Sequence, residues 1–215
     1  APLDASRERT VARHADLVTF QNGADRDDFI SRTGYPECRT VLIPGNIGLP
    51  RFLPEWENRN RSMRVEKLLY VGVLTATKGF RTLLEAMSLL DRRGMDGLKL
   101  TVLGKTEGAG ETMLLVDRLG LSNRVFFAGY ANPFPYLADS DLLVYPTLYD
   151  AFPDAVLEAL HTGCPAIAAD TGGMRDLLGT DDALFPVGDA PALADRIEEL
   201  AHDNLRYSAL KVKCM

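Results

Sequence analysis

Residues 145–173 read YPTLYDAFPDAVLEALHTGCPAIAADTGG, and this stretch decides the predicted fold. It begins at the end of an apolar run, 142–145, which has the length of a buried strand and stops at a proline. Pro153 and Asp154 are residue types that favour the first turn of a helix, and Gly163 is typical of a helix end. The sequence therefore predicts a strand, a loop and a helix in succession.

The second half of the stretch continues this alternation. The apolar run 165–169 predicts the next strand, and Gly172-Gly173 open another helix. Strands and helices in this order build an open α/β sheet, whose ligand crevice lies at the carboxyl ends of the strands. Two helix N-termini converge there, so we expect free backbone N–H groups and positive dipole ends that favour an anion such as a diphosphate.

Two acidic residues stand eight positions apart in the stretch. Asp150 lies in the predicted loop, and Glu158 lies on the second turn of the predicted helix. Helical spacing places Glu158 on a polar face with Asp154 and His161. From the residues alone, the plain interpretation of Glu158 is a solvated surface glutamate, because most charged side chains on such a face are exposed.

The alternation extends upstream and downstream, from residue 65 to residue 202. Parallel strands joined by right-handed helical crossovers give a doubly wound sheet, with the ligand at the switch point. The predicted strands are 67–74, 98–104, 125–128, 141–145, 165–169 and 183–185, and the predicted helices are 79–93, 110–119, 133–138, 153–161, 173–178 and 191–202.

The remaining parts of the chain are shorter and less regular. Residues 1–49 contain two further β/α units, with helices at 6–15 and 25–33 and strands at 17–20 and 40–43. Two strands are too few for an independent parallel sheet that is covered on both faces. Residues 50–64 are polar and arginine-rich, which indicates a linker, and residues 203–215 form a tail compatible with a helix that packs elsewhere.

Composition and charge exclude several classes of function. The 215 residues are 46% hydrophobic and 25% charged, which suits one good-sized core. A net charge of −6 argues against nucleic acid as a partner, because that polymer usually binds a basic face. The three cysteines and three histidines are scattered singly, so neither a disulfide framework nor a metal centre is indicated. No run approaches the ~18 apolar residues of a membrane span, and the start lacks a signal-peptide plan, so we expect a cytoplasmic protein whose natural beginning is missing here.

Two local patterns imitate known ligand sites. Gly104-Lys105-Thr106 has the form of a P-loop end, but Lys99 replaces the glycine that this motif requires five residues earlier. Asp139-Ser140-Asp141 has the form of a metal-binding D-x-D, yet it precedes a strand at the end of the sheet remote from the crevice. A solvated turn is therefore the expected structure of this second pattern.

Taken together, the motifs resemble the C-terminal, nucleotide-sugar-binding domain of the retaining GT-B glycosyltransferases of family 4. The signature of that family is an acid, seven residues, a Glu that opens E-A-h-x-x-G-x-P-h, and a Gly-Gly. Asp150, the run 158–166 and Gly172-Gly173 match it, as does the strand 70–74 followed by Lys78-Gly79. The resemblance covers most of residues 68–201. It implies an α/β protein with a GT-B-type doubly wound parallel Rossmann-like sheet over 65–202, preceded by an incomplete end of the N-terminal α/β domain at 1–49.

The resemblance also implies a role for each residue of the predicted site. Glu158 would accept hydrogen bonds from the ribose hydroxyls, and Asp150, as the catalytic residue, would contact the transferred sugar near its reacting carbon. Lys78 would act as a point charge on the diphosphate. The strand ends Gly104-Lys105 and 128–130 would flank the base. The implied donor-binding residues are Lys78, Gly72, Gly104, Phe152, Ala155, Val156 and Glu158.

Three positions depart from the family pattern. Asp150 stands where most members have Glu, Pro153 stands where the usual E-G-F-G motif has Gly, and Val73 stands where an Arg often accompanies the Lys. Asp is one methylene shorter than Glu, and Pro has no N–H to offer the sugar or the phosphate. These changes concern the contacts with the donor sugar and the diphosphate more than those with the nucleoside.

We therefore expect an enzyme that transfers a hexose from a nucleoside-diphosphate sugar to an acceptor hydroxyl with retention, in the synthesis of a polysaccharide, glycolipid or other glycoconjugate. The implied partners are the donor and an unidentified acceptor, with no cofactor and no metal in the site. Peripheral membrane contact and self-association through 17–20 and 41–43 stay open. The alternatives are a sugar-nucleotide epimerase of the same fold and a non-catalytic nucleotide-sugar-binding protein. Because most of the acceptor half of the cleft is absent from these residues, we expect the 215-residue chain to bind donor without turning it over.

Overall fold

A parallel sheet of six strands forms the centre of the computed structural model, which describes residues 5–45, 62–105 and 110–212. The strands in chain order are β1 Val18–Phe20, β2 Thr40–Leu42, β3 Lys67–Val71, β4 Lys99–Leu103, β5 Val125–Gly129, β6 Leu142–Tyr145, β7 Ala166–Ala169 and β8 Leu184–Phe185. The six-stranded sheet has the order β5-β4-β3-β6-β7-β8. The order reverses between β3 and β6, where Leu68 pairs with Leu142. This reversal is the switch point at which doubly wound sheets bind ligands.

Helices connect the strands and cover the sheet. They are α1 Ala5–His14, α2 Gly23–Thr33, α3 Phe80–Arg92, α4 Gly110–Arg118, α5 Pro133–Asp139, α6 Asp154–Thr162, α7 Met174–Leu178, α8 Ala190–His202 and α9 Asn204–Val212. Every residue of β6 and β7 is buried, as expected for parallel strands that carry helices on both faces. On α3 the apolar stripe that includes Leu83, Leu84 and Met87 is fully buried, so amphipathic spacing positions this helix on the core.

The N-terminal segment forms a small unit of its own. Strands β1 and β2 pair in parallel as a two-stranded sheet, separate from the six-stranded one. Leu17 and Ile43 at the ends of these strands are 55% and 56% exposed, so the apolar surface predicted here is present. Self-association through this surface stays a prediction.

The structure agrees with the predicted element order; it shortens one strand and forms a helix in the tail, as the sequence of the tail allowed. Strand β3 ends at Val71 instead of residue 74, because the chain turns at Gly72 and forms a short 3-10 helix, Ala76–Lys78. The tail contains α9, which packs against the C-terminal unit: Tyr207 is fully buried, and its hydroxyl donates to the carbonyl oxygen of Asp141 at 2.8 Å. Most of the predicted linker, residues 50–61, lies outside the described residues.

Among the described residues, no helix combines the length and the apolar composition that crossing a membrane requires.

Candidate functional site

Three polar side chains meet at the switch point, beyond the carboxyl ends of β3 and β6. Lys78 Nζ lies 2.5 Å from Asp150 Oδ2 and 3.4 Å from the hydroxyl of Tyr145. The Tyr145 hydroxyl donates to the same Asp150 oxygen at 2.8 Å. Lys78 and Asp150, which the sequence assigned to different parts of a donor, are therefore paired with each other in the structure.

The acid loop, residues 146–153 between β6 and α6, brings Asp150 to this place. Its backbone is tied to the turn that carries Lys78: the N–H of Leu148 donates to the carbonyl oxygen of Thr77 at 2.9 Å, and the Thr147 hydroxyl donates to the same oxygen at 3.3 Å. These hydrogen bonds join the two backbone segments that carry the charged residues, at the point where the sheet order reverses.

The Gly-Gly pair supports the acid loop from the other side. Gly172 has φ of +55°, and a Cβ there would lie 1.8 Å from the carbonyl oxygen of Asp150, so only glycine fits. The N–H of Gly173 donates to the carbonyl oxygen of Ala151 at 3.0 Å. This bond corrects the expectation that both helix N-termini offer free N–H groups to an anion: the N–H of Gly173, before the five-residue α7, already has a partner in the protein.

The N-terminus of α6 retains donors. Pro153 occupies the cap position, and its carbonyl oxygen accepts from the N–H groups of Val156 and Leu157. No acceptor among the described residues reaches the N–H of Asp154 or Ala155. Because the N-terminus of a helix carries partial positive charge, these two groups suit an anionic ligand beside the acid loop.

A pocket of about 320 Å³ lies at the carboxyl ends of β3, β4 and β5. We call it the strand-end pocket; it is lined by Val71, Gly72, Val73, Leu103, Gly104, Lys105, Tyr130, Ala131, Pro133 and Glu158. Its floor depends on Gly104, since a Cβ there would lie 1.9 Å from the carbonyl oxygen of Gly72 and φ is +152°. Of the strand ends expected to flank a base, Gly104, Lys105 and Tyr130 line this cavity, whereas Ala128 and Gly129 are not among its lining residues.

Glu158 reaches this pocket from the second turn of α6. Burial, followed by the nearby charge of Asp154, raises the pKa of the Glu158 carboxyl. The polar helix face predicted from spacing therefore does not open to bulk solvent at this residue: it faces the strand-end pocket. Among the described residues Glu158 forms no salt bridge, so this half-buried carboxylate is poised to accept hydrogen bonds from a ligand.

The other predicted donor-binding residues lie at different depths around the acid loop. The Val156 side chain is fully buried in the core, so only its backbone is available to a ligand. Ala155 is half-buried in the first turn of α6. Phe152 packs against two backbone turns, since a Cβ added at Gly45 or Gly173 would lie 2.6 or 3.1 Å from its ring. Phe152 thus connects the N-terminal segment to the acid loop.

Two residues of this region were not singled out by the sequence. In the sequence, Tyr145 is the last residue of an apolar run and indicates only the end of a strand. In the structure its hydroxyl donates a hydrogen bond to Asp150. Asn22 is 1% exposed; it accepts from the N–H of Asp25 at 2.8 Å and donates to the carbonyl oxygen of Ala151 at 2.8 Å. The sequence contains a signal for Asn22 as the capping residue of α2, since Asn favours that position, but no signal for its contact with the acid loop.

The D-x-D pattern has a structural role at the opposite end of the sheet. Asp141 Oδ2 accepts from the N–H groups of Glu66 and Lys67, at 2.9 and 2.7 Å, and Asp139 pairs with Lys67 Nζ at 2.7 Å. These bonds fix the entry into β3 and β6. Within the described residues, no group of three or more His, Cys, Asp or Glu side chains is arranged to hold a metal ion.

Comparison with known proteins places this site in context. A sequence model of the family described as glycosyl transferases group 1 matches residues 65–203. D-inositol 3-phosphate glycosyltransferase of Corynebacterium jeikeium is 28% identical over 216 residues, which cover 92% of this chain and 52% of that protein. Alpha-D-kanosaminyltransferase of Streptomyces kanamyceticus is 30% identical over 215 residues, which cover 94% of this chain and 55% of that protein. The chain spans about half the length of these curated relatives.

The fold has solved counterparts. The crystal structure of Anabaena HepE in complex with UDP and glucose aligns over 99% of this chain and 62% of that one, with a TM-score of 0.79 and 21% identity. This likeness confirms the predicted α/β fold with a parallel sheet of GT-B type.

Proposed function

The chain belongs to the group 1 glycosyl transferases, and from that premise we propose that it carries the donor site of an enzyme that transfers a hexose from a nucleoside-diphosphate sugar to an acceptor hydroxyl with retention. Transfer itself belongs, in this proposal, to a protein with a complete acceptor side. The relatives are about twice as long as the region they share with this chain.

One observation carries the proposal: the strand-end pocket with Glu158 and the Lys78–Asp150 pair both lie beyond the carboxyl end of β3. A nucleoside in the pocket would place its ribose hydroxyls at the Glu158 carboxylate. Its diphosphate would then extend toward Lys78 and the N–H groups that begin α6. The sugar beyond the diphosphate would reach Asp150. A pocket, a cation and an acid are the three groups that the base, the phosphates and the sugar of the donor require.

The chemistry of sugar transfer also requires positive charge near the diphosphate and negative charge near the sugar. When the bond between the sugar and the diphosphate breaks, negative charge develops on the departing phosphate. The Lys78 ammonium supplies positive charge there without any change of covalent structure. The Asp150 carboxylate, 19% exposed in its side chain, lies where it would accept a hydroxyl of the sugar and steady positive charge near the reacting carbon.

The ligands of a structural neighbour support a choice of the first donor to test. Anabaena HepE was solved with UDP and glucose, so UDP-glucose heads the panel to be tested on this chain. GDP- and ADP-sugars complete the panel, because the residues that line the strand-end pocket leave the identity of the base open.

The experiment is calorimetry of the 215-residue protein with UDP, GDP, ADP and their glucose conjugates. At least one nucleotide should bind, and Glu158→Ala should weaken its binding by about 1.5–3 kcal/mol, the usual range for hydrogen bonds to a charged group. Glu85→Ala is the matched control, since Glu85 lies on α3 in a surface pair with Arg81. Its affinity should equal that of the wild type.

Two outcomes would contradict the proposal. If a folded Glu158→Ala variant bound every nucleotide as the wild type does, Glu158 would return to the plain interpretation of a surface glutamate. If a donor sugar were converted to its epimer, without transfer to any acceptor, the epimerase alternative would replace the transferase.

A further inference from the structure

Tyr145 is a polar group at the centre of the site that the proposed function does not use. It is the last residue of β6 and is 5% exposed, yet its hydroxyl donates to Asp150 Oδ2 at 2.8 Å. The ring of Tyr145 lies under the Lys78 ammonium, which is 5.9 Å from the ring centroid. Tyr145 thus contacts both residues to which the site assigns a charge-based role.

The two donors compete for one oxygen of Asp150. Lys78 Nζ and the Tyr145 hydroxyl both bond to Oδ2, and no group among the described residues bonds to Oδ1. The carboxylate is therefore held through one oxygen while the other stays available. Burial, and then the charge of Asp150, raise the pKa of the Tyr145 phenol, so this hydroxyl remains a donor at any pH of interest.

The functions of the two donors separate when a diphosphate arrives. Its charge is larger than that of one carboxylate, so Lys78, on a flexible stem, has a stronger partner to turn to. Tyr145 has no such freedom, because its ring is packed at the end of a buried strand. After Lys78 leaves, the phenol is the remaining side-chain donor on Oδ2.

We propose that Tyr145 is a positioning residue: it keeps the Asp150 carboxylate in place, with Oδ1 toward the sugar, when Lys78 exchanges Asp150 for the diphosphate. This inference rests on the proposed function for its ligand and goes beyond it in assigning Tyr145. It requires Tyr145 to matter for the sugar and not for the nucleoside diphosphate.

The test is Tyr145→Phe, which removes the hydroxyl and keeps the ring. Affinity for the free nucleoside diphosphate should change less than about twofold, while affinity for the corresponding nucleotide sugar should fall about tenfold. In an Asp150→Ala background the same substitution should add no further loss, because the carboxylate that the phenol holds is gone. An equal loss for both ligands, or an undiminished further loss in the Asp150→Ala background, would overturn the proposal.

Tyr70→Phe is the matched control. Tyr70 is 1% exposed in the neighbouring strand β3, and its hydroxyl donates to the carbonyl oxygen of Val73 at 3.1 Å rather than to Asp150. Loss of a buried phenol beside the site should leave the ratio of the two affinities unchanged. If Tyr70→Phe lowered this ratio as much as Tyr145→Phe does, a general packing effect would replace the positioning role.

Two further measurements make the possible failures distinguishable. Without nucleotide, the Tm values of Tyr145→Phe, Asp150→Ala and the double variant should be non-additive, which reports the hydrogen bond independently of any donor. In the wild-type protein, nucleotide-sugar binding should shift the NMR signal of the Lys78 side chain and leave unchanged the NOEs from the Tyr145 ring to its buried neighbours, which needs no variant to fold. Non-additive Tm values without binding of any nucleotide would overturn the proposed function and this role with it. Binding accompanied by altered NOEs from the Tyr145 ring, which would report its reorientation, would overturn only the positioning role.

Discussion

Lys78 and Asp150 form an ion pair in the structure although the proposed donor would separate them. Asp150→Asn removes the charge that holds Lys78, so we expect binding of the free diphosphate to be kept or tightened, by up to about fivefold. The same variant should lose the gain in affinity that the donor sugar provides. Lys78→Ala should instead weaken diphosphate binding, and more strongly at low salt, where charge is least screened.

Calorimetry with UDP and UDP-glucose at two salt concentrations separates these two patterns, or the corresponding pair for whichever base binds. The assignment of Lys78 to the diphosphate and Asp150 to the sugar is wrong if both variants respond alike to both ligands.

Glu158 should make donor binding depend on pH. Its pKa lies above the ordinary value of 4.5, and only the ionised form accepts fully from two ribose hydroxyls. Affinity should therefore fall as the pH drops from neutrality through the raised pKa. Glu158→Gln should bind more weakly at neutral pH and lose this dependence. A nucleotide sugar is the proper ligand, because it lacks the terminal phosphate whose own pKa of about 6 would interfere.

The residue types of the site could be predicted from the sequence, but their surroundings could not. Spacing on α6 correctly gave Glu158 a polar face, yet whether that face meets solvent or a pocket depends on three strand ends far away in the chain. The partner of Tyr145 depends on how a short loop folds back on its strand. Periodicity contains neither fact, because it predicts in which direction a side chain points but not which residues it meets there.

At the level of elements, the contact between the Gly-Gly turn and the acid loop should be the least tolerant part of the site. Gly172→Ala places a Cβ 1.8 Å from the carbonyl oxygen of Asp150 and also strains a φ of +55°. Gly179→Ala is the matched control, because it has a similar φ of +60° and open space around the added carbon. We expect Gly179→Ala to cost about 1–2 kcal/mol of stability and to leave donor affinity unchanged.

Gly172→Ala should cost more than its control and should also reduce nucleotide-sugar affinity, by about tenfold or more, since Asp150 must move. Thermal unfolding and calorimetry on both variants measure these effects. Equal stabilities and equal affinities for the pair would show that the turn does not support the acid loop.

The elements themselves were mostly predictable, because glycines and prolines punctuate a strong alternation of strands and helices. The exceptions have local causes. Strand β3 was predicted three residues too long, since the apolar run continues past Gly72 after the backbone has left the sheet. Helix α9 was hard to recognise because its mixed sequence shows a single buried stripe, with Tyr207 and Leu210 as anchors.

At the scale of the whole molecule, Asn22 connects the N-terminal segment to the site. Asn22→Ala removes the cap of α2 and the hydrogen bond to Ala151 in the acid loop. Asp189→Ala removes the cap of α8 and no such contact, which makes it the matched control. Both should lose about 0.5–2 kcal/mol of stability, but only Asn22→Ala should weaken binding of the nucleotide sugar. Unchanged binding in Asn22→Ala would mean that the N-terminal segment rests on the acid loop without positioning it.

The 215-residue polypeptide should bind donor and transfer no sugar. Transfer requires an acceptor hydroxyl held about 3–3.5 Å from the sugar with water excluded. The described N-terminal segment contains two strands and two α-helices. Product analysis after incubation with donor and simple sugar acceptors checks this, with a full-length relative as the positive control. Turnover at the rate of the full-length relative would show that these residues already form a complete site.

How the N-terminal segment meets the rest of the chain lay beyond prediction. Asn22 and Ala151 are 129 positions apart, and the hydrogen bond between them depends on the path of the residues that lie between. The sequence predicted two β/α units with an exposed apolar surface, and the structure contains both units and this surface. It did not predict their contacts with the acid loop and with Asp176 of α7.

The strand order also has a consequence for the order in which the protein folds. Strands β3–β5 lie within residues 67–129 and β6–β8 within 142–185, so each half of the sheet is contiguous in the chain. The pairing of β3 with β6 joins the halves and closes the longest loop within the six-stranded sheet, so we expect it to be the slowest pairing of that sheet. Since Lys78 belongs to one half and Asp150 to the other, nucleotide affinity should arise with that final joining. A donor present during refolding would then stabilise the product of the last step, because it binds the sheet after β3 and β6 have paired and binds neither half alone.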